Sequence, residues 1–334
     1  MIYAPILITT LNRYECFKRC IESLQENSWS DKTELFISVD YPPTTKYHEG
    51  YNKIKAYLAQ ELNGFKKVHV YFQEKNLGAI KNAEWLRDLV CRSHNRYIFL
   101  EDDNELAPGF IEFCDKGLEL FEDDESIIAL NASDYVWCGN GFTPPVRAVG
   151  DNENNIEKRQ LVFHAVAYWE NKREKVSRFC NKVQKQHGLY NVKGLLKLHK
   201  KSRCFFYNFL AMVSLQNQEL PWFGEELHPI DFMVDIYMIL FDKYVLCPVG
   251  PLQRDFGVDG NGVNYKTAFK NAKELKQRPW LNDKGFEFEY KDPIIINDHE
   301  ITLHDSNVAL SYLTKIKILL KYVFKTIKTR NALN

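Results

Sequence analysis

The feature that most constrains this chain is an alternation. Through the first 130 residues, short apolar runs trade places with stretches whose apolar residues recur at helical spacing. Ile6-Leu7-Ile8-Thr9-Thr10 predicts a buried strand, and Cys16, Phe17, Cys20, Ile21 and Leu24 predict the helix behind it. Residues 35–39 predict a second strand, ending at Asp40 and stopped by Pro42-Pro43. Ile54, Tyr57, Leu58 and Leu62 mark a helix that Gly64 closes. A third strand over 68–72 leads through Asn76-Leu77-Gly78 into a helix carrying Ala83, Leu86 and Val90. Residues 97–100 form a fourth strand that runs into Glu101-Asp102-Asp103, and 127–130 form a fifth. Strands alternating with helices imply βαβ units: an α/β fold whose mostly parallel sheet is covered on both faces.

Ligands on such sheets bind beyond the carboxyl ends of the strands. The polar residues that finish the strands therefore converge: 9–13, Asp40, 74–76 and 101–103. After residue 131 the pattern loosens. Gly139-Asn140-Gly141 and Pro144-Pro145 mark loops, 151–159 is polar without periodicity, and Leu161-Val162-Phe163 predicts a strand. A basic helical region follows, then an apolar helix near 231–241, a strand near 244–248 and a glycine-rich loop over 254–264.

The 334 residues carry 44 Lys+Arg against 44 Asp+Glu, a formal net charge of +0, which excludes a surface built throughout for nucleic acid. The zero hides sorting. Residues 101–125 hold eleven acids and one base, 172–203 hold eleven bases and one acid, and from Ser311 onward there are six bases and no acid. The eight cysteines show no CxxC pair and no zinc-like spacing with the nine histidines, so a reducing, cytoplasmic setting is expected. No signal-peptide pattern precedes the first strand, and no run of about 18 apolar residues predicts a membrane span.

Glu101-Asp102-Asp103 has two readings. Carboxylates at a strand end are hard oxygen donors for Mg²⁺ or Mn²⁺, which binds a diphosphate and neutralises charge on a leaving nucleotide. The same tripeptide also suits a solvated acidic turn facing the dipole of a helix that starts near Pro108. Its place after the fourth strand of the alternation favours the first.

With its flanks, the stretch YIFLEDDNELAPGFIEF (97–113) resembles the metal-site segment of N-acetylglucosaminyltransferase I (family 13) and bacterial family 2-like sugar transferases. Those are GT-A glycosyltransferases, with a Rossmann-like, mostly parallel central sheet flanked by helices. Other segments resemble theirs in order: 6–13 their first strand and its nucleotide-contacting Arg, 35–40 their second strand with its Asp, 76–82 their helix start, and 248–264 the loop that closes over the donor. The likeness spans 4–265 and is strong through 130. It implies Asp103 as direct ligand of Mn²⁺ or Mg²⁺, with Glu101 and Asp102 toward the ribose or the ion's water. Thr9, Arg13, Lys81 and Arg254 would face the nucleotide-sugar, and Asp40 a uracil.

Each of these has a plainer alternative: Arg13 merely opening a helix, Asp40 capping a turn, Lys81 and Asn82 on a solvated helix face. The family's catalytic base lies shortly before the late strand. Asp231, 17 residues before Pro248, is the best positional match, with Asp235 one turn later and Glu225 and Glu226 nearby. Ile230 stands where the family usually has Trp. Trp169 suits either sugar stacking or core packing.

From Ala309 to Arg330, apolar residues at helical spacing are accompanied by lysines. This pattern fits an amphipathic helix on an anionic membrane surface, or a terminal helix packed on the domain. The expected organisation is a catalytic domain over 1–265, with a nucleotide-binding half (1–130) and an acceptor half (131–265), and a helical C-terminal extension over 266–334. The expected activity is inverting, metal-dependent transfer of a sugar from a nucleotide-linked donor, UDP first, to a hydroxyl of a glycan or lipid-linked glycan. The enzyme would be cytoplasmic or peripheral on the inner membrane face, and would serve polysaccharide biosynthesis. The alternatives are a GT-A-like binding protein without turnover and a nucleotidyltransferase. The latter normally shows a glycine-rich phosphate loop after the first strand, and 9–13 has no glycine.

Overall fold

The computed structural model describes residues 1–134, 136–138, 141–143, 156–160, 165–185, 192–203, 205–206, 230–257, 272–281, 286–288 and 294–295, with positions 313, 316, 317 and 320. The early alternation becomes β1 (Ile6–Thr10), α1 (Tyr14–Gln25), β2 (Glu34–Val39), α2 (His48–Leu58), β3 (Lys67–Phe72), α3 (Ala79–Val90) and β4 (Arg96–Glu101). A short β5 (Asn104–Leu106), α4 (Phe110–Leu120) and β6 (Ile127–Asn131) follow. β7 (Val136–Cys138) and β8 (Gly141–Thr143) pair with each other apart from the main sheet. β9 (Ile156–Arg159), β10 (Val166–Trp169), α5 (Glu170–Lys185) and α6 (Val192–Lys201) come next. Helix Ile230–Phe241, β11 (Tyr244–Pro248), β12 (Gln253–Asp255), helix Ala272–Gln277 and β13 (Ile294–Ile295) complete the described elements.

Among the described residues the main sheet has nine strands in the order β13-β9-β11-β6-β10-β4-β1-β2-β3. β1, β2, β3 and β4 are parallel, and β10 runs antiparallel between β4 and β6. From β1 the chain steps outward to β2 and β3, then returns to lay β4 on the other side of β1. That reversal of direction opens a crevice beyond the carboxyl ends of β1 and β4.

The two faces of β1 explain the layers. Ile6 and Ile8 pack on Phe17, Cys20, Ile21 and Leu24 of α1, all fully buried, and Leu7 points the other way onto Leu86 and Val90 of α3. Each such apolar side chain contributes about 1.5–3 kcal/mol when fully buried. A third cluster joins Ile128, Ala129 and Val166 of the sheet to Val176 of α5 and Met233 and Ile236 of helix Ile230–Phe241. The α/β class with a mostly parallel, helix-flanked sheet is what the sequence predicts.

Several details differ from the sequence reading. The polar stretch 151–159 contains β9, whose Glu157 and Arg159 are buried, so hydrophobic periodicity could not reveal it. Residues 161–163 lie outside the described residues. Trp169 is core: its indole N–H donates to the Leu118 carbonyl at 2.9 Å, and Lys172 sits 3.9 Å from its ring.

Lys172, counted above in a basic block, is also buried. Its ammonium donates to the carbonyls of Phe121, Asp124 and Ile127 at 2.9–3.1 Å, fastening the end of α4 to β6. With Lys175 paired to Glu125 at 3.0 Å, part of the sorted charge is resolved where α5 meets the turn after α4.

Residues assigned to the C-terminal extension belong partly to the main core. Phe286 and Phe288 pack on Phe113, and β13 joins the sheet beside β9. Of 309–330, Leu313, Ile316, Lys317 and Leu320 are helical and exposed, and the others lie outside the described residues. Among the described residues no helix is long and apolar enough to cross a membrane.

Candidate active site

At the crevice between β1 and β4, Asp102 and Asp103 are buried, 4 % and 6 % exposed. Thr10, the last residue of β1, donates its hydroxyl to Asp102 Oδ2 at 2.7 Å. Arg13 lies two residues before the second position of α1 and grips both acids. Nη1 donates to Asp103 Oδ2 at 2.6 Å, and Nη2 donates to Asp102 Oδ1. No side chain caps α1 at Arg13, and a cation is unfavourable at a helix N-terminus. The guanidinium is placed for the acids rather than for the helix.

Burial pushes the Asp102 carboxyl up to about 6; Arg13 pulls it back, while Asp103 adds like-charge repulsion. Burial also works against the charge on Arg13, but Asp102 and Asp103 outweigh it and hold the guanidinium charged.

A cleft of ≈490 Å³ opens in front of Arg13, lined also by Asn12, the first turn of α1, Lys46, Lys53 and Gly257. First-turn backbone N–H groups have no partner within their own helix, so this wall suits an anion. β12 pairs antiparallel with β5, so that Asp255 stands opposite Asn104. The Phe256 N–H donates to the Asp103 carbonyl at 2.9 Å, and Arg19 and Lys276 stand 3.9 Å and 4.8 Å from the centre of the Phe256 ring.

The residues singled out from sequence fall into three groups. Thr9, Arg13, Glu101, Asp102 and Asp103 come together at the crevice, with Thr9 in register opposite Glu101. Asp40 and Arg254 are committed to local structure. Asp40 accepts the N–H groups of Tyr41, Leu77 and Gly78, each at 2.9 Å, and the Asn76 amide at 3.1 Å, stapling the loop after β2 to the entry of α3. Arg254 stacks 3.6 Å over Trp280, pairs with Glu105 at 3.2 Å and donates to the Arg278 carbonyl. Strand alternation puts it on the opposite face of β12 from Asp255.

Lys81 is exposed on α3, whereas Asn82 beside it is buried and accepts from Ser38 Oγ at 2.6 Å, so only Lys81 is on a solvated face. Helix Ile230–Phe241 turns back through Asp242 and Lys243 into β11, which brings its first turn to the carboxyl end of the sheet. Asp235 is buried in that helix, while the Asp231 side chain, Glu225 and Glu226 lie outside the described residues. Asn104 escaped the sequence reading as a site residue. Thr10 entered it only within the converging stretch 9–13, and Asp255 and Gly257 only within the late loop 248–264.

The donor set fits a hard cation. It is all oxygen, and a Cβ on Gly257 would stand 2.1 Å from Asp103 Oδ2, so that carboxylate approaches the late loop as closely as only glycine allows. Among the described residues no three Asp, Glu, His or Cys side chains are already gathered to hold an ion; here Arg13 bridges the two acids.

No protein-family model and no curated protein matches the sequence. Among solved structures, S. aureus TarS 1–349 in complex with UDP aligns at 14% identity over 52% of this chain and 49% of that one, with a TM-score of 0.35. The mannosyltransferase PcManGT from Pyrobaculum calidifontis, in complex with GDP-Man and Mn²⁺, aligns at 10% identity over 72% and 70%, TM-score 0.36. The glycosyltransferase GlyE of Streptococcus pneumoniae TIGR4 aligns at 13% identity over 96% and 64%, TM-score 0.33. The chain spans about half the length of that TarS structure and 30% of a second, longer one. Likenesses this weak carry no argument about activity.

Proposed function

We propose that the protein is a glycosyltransferase that moves a sugar from a nucleotide-linked donor, UDP first, to a glycan hydroxyl with inversion. The observation that carries this reading is the buried Asp102–Asp103 pair, held at the switch point by Thr10 and by Arg13, which itself lines a cleft of ≈490 Å³. Asp103, with Asp102 and Glu101 beside it, would hold Mn²⁺ or Mg²⁺; such a cation stabilises charge on a departing diphosphate.

Arg13 is one-third exposed and has the reach and the permanent charge to turn from the acids to the donor's phosphates. The first turn of α1 adds backbone N–H groups at the same wall. Asp40 keeps the loop around the nucleotide end in place. Asp231 or Asp235 removes the acceptor's proton, a role that their helix suits by starting at the carboxyl end of the sheet. The acceptor class extends to lipid-linked glycans, with the basic C-terminal segment on an anionic membrane surface.

The test is a panel of nucleotide sugars assayed for donor hydrolysis and thermal shift, with and without Mn²⁺. Turnover of one donor that requires the ion is expected. No turnover across the panel, together with unchanged UDP binding in Asp103→Ala, would sink the enzyme reading.

A further inference from the structure

We propose that Asp255 and the Asn104 side-chain carbonyl join Asp103 in an oxygen cradle for a divalent cation, and that Arg13 closes this cradle until the ion displaces it. The inference rests on the reading of Asp103 as a metal ligand and extends it to the late hairpin.

Three observations converge. The first is placement. β12 lies antiparallel to β5 with Asp255 opposite Asn104, the residue that follows Asp103, and both side chains are buried. The second is the close approach at Gly257. A Cβ there would lie 2.1 Å from Asp103 Oδ2 and 3.1 Å from Asp255 Oδ1, so two carboxylates from segments far apart in sequence come up against the same glycine. The backbone holds them in place: Phe256 N–H donates to the Asp103 carbonyl at 2.9 Å, and Gly257 N–H to Asp255 Oδ1 at 2.6 Å. The third is Asn104. It is 1 % exposed, its Nδ2 donates to Asp103 Oδ1 at 3.3 Å, and its Oδ1 is buried with no hydrogen-bond partner. Leaving a buried acceptor unpaired is unfavourable, and a hard cation satisfies an amide oxygen as well as a donor hydrogen does.

Arg13 accounts for the closed state. Its guanidinium bridges Asp102 and Asp103 as a monovalent cation would, and it is the most exposed member of that trio. A divalent ion brings twice the charge to Asp103, the carboxylate that Arg13 and the cradle share, and the neighbouring cleft gives the displaced guanidinium room. The plainer alternative is a hydrogen-bonded hairpin that only supports the loop. It predicts no ion dependence on Asp255 or Asn104.

The test titrates Mn²⁺ alone into the full chain, reading bound ion from the loss of the free-ion paramagnetic resonance signal and checking folding by thermal melt. Relative to wild type, Asp103→Asn and Asp255→Asn are each expected to weaken Mn²⁺ at least about tenfold, while Arg13→Gln and Asn104→Asp tighten it by about threefold or more. Asp88→Asn, an exposed acid paired with Arg87, controls for net charge and should leave the affinity unchanged.

If Asp103→Asn weakens the ion while Asp255→Asn and Asn104→Asp stay within about twofold of wild type, the cradle is overturned and the Asp103 reading stands. If wild type and Arg13→Gln both fail to bind Mn²⁺, the cradle and the metal reading fall together. Should Asp255→Asn not fold, the two tightening variants decide: failure of both to tighten overturns the proposal.

Discussion

At the end of β4, Asp102 and Asp103 are buried carboxylates; in the next helix Asp115 is another, at 0 % exposure. Burial pushes Asp102 up to about 6 and Asp115 up to about 7. The surroundings differ. Asp102 has a guanidinium, a hydroxyl and an acidic neighbour, and that guanidinium, Arg13, lines a cleft. Asp115 has one hydrogen bond, accepted by Oδ1 from the Ala4 N–H at 2.9 Å, while its Oδ2 is buried without a partner. Arg96 lowers the Asp115 value and Glu119 raises it, both from a distance. A perturbed carboxyl by itself therefore does not mark a site here. What separates the two regions is a partly exposed counter-charge that both touches the acids and lines the cleft.

If that distinction is right, equivalent substitutions should have opposite signatures. Asp103→Asn keeps the shape and removes the charge. Donor turnover should fall by about 10²–10³-fold, the usual size for losing one group that stabilises developing charge. Asp115→Asn should leave turnover within about twofold, since its hydrogen bond is to the Ala4 N–H and not to Arg13, which lines the cleft. Equal losses in the two variants would erase the comparison. Gly257→Ala sharpens it with a smaller effect. Its Cβ would meet Asp103 Oδ2 at 2.1 Å, so the acid must shift, and overpacking typically costs about 1–3 kcal/mol. Donor turnover should fall about tenfold, with a lowered melting temperature. Unchanged turnover would show that Asp103 can sit elsewhere and still work.

How far the sequence foretold this contrast depends on the residue. The strand ends were legible because β1, β2 and β4 are buried on both faces, so continuous apolar runs stop where the crevice begins. Glu101-Asp102-Asp103 and Arg13 followed from that. Asp255 did not, because β12 has three residues and pairs with the equally short β5; no periodicity survives in a piece that small. β9 escaped for another reason: its buried residues include Glu157 and Arg159, which composition assigns to the surface. Asp115 belongs to a block of eleven acids, yet α4 buries Glu112 and Asp115 along with its apolar residues. Charge sorting along a chain does not say which charges face inward.

The variant with the smallest effect on turnover, Asp115→Asn, tests the comparison through stability. The carboxyl titrates near 7 in the folded protein and near its ordinary 3.8 when unfolded. Between those values the folded state keeps a proton that the unfolded state has lost. Asp115 therefore makes stability fall as pH rises from about 4 to about 7, with no further change above. Asp115→Asn removes that slope. Its amide oxygen still accepts from the Ala4 N–H, and no charge needs to be buried at any pH. Relative to wild type the variant should gain about 4 kcal/mol at pH 8, and this difference should close toward pH 4. Denaturant midpoints at the two pH values measure it directly. A gain that is the same at both would mean that the Asp115 carboxyl titrates in the fold as it does in the unfolded chain. The contrast with Asp102 would then rest on access to the cleft alone.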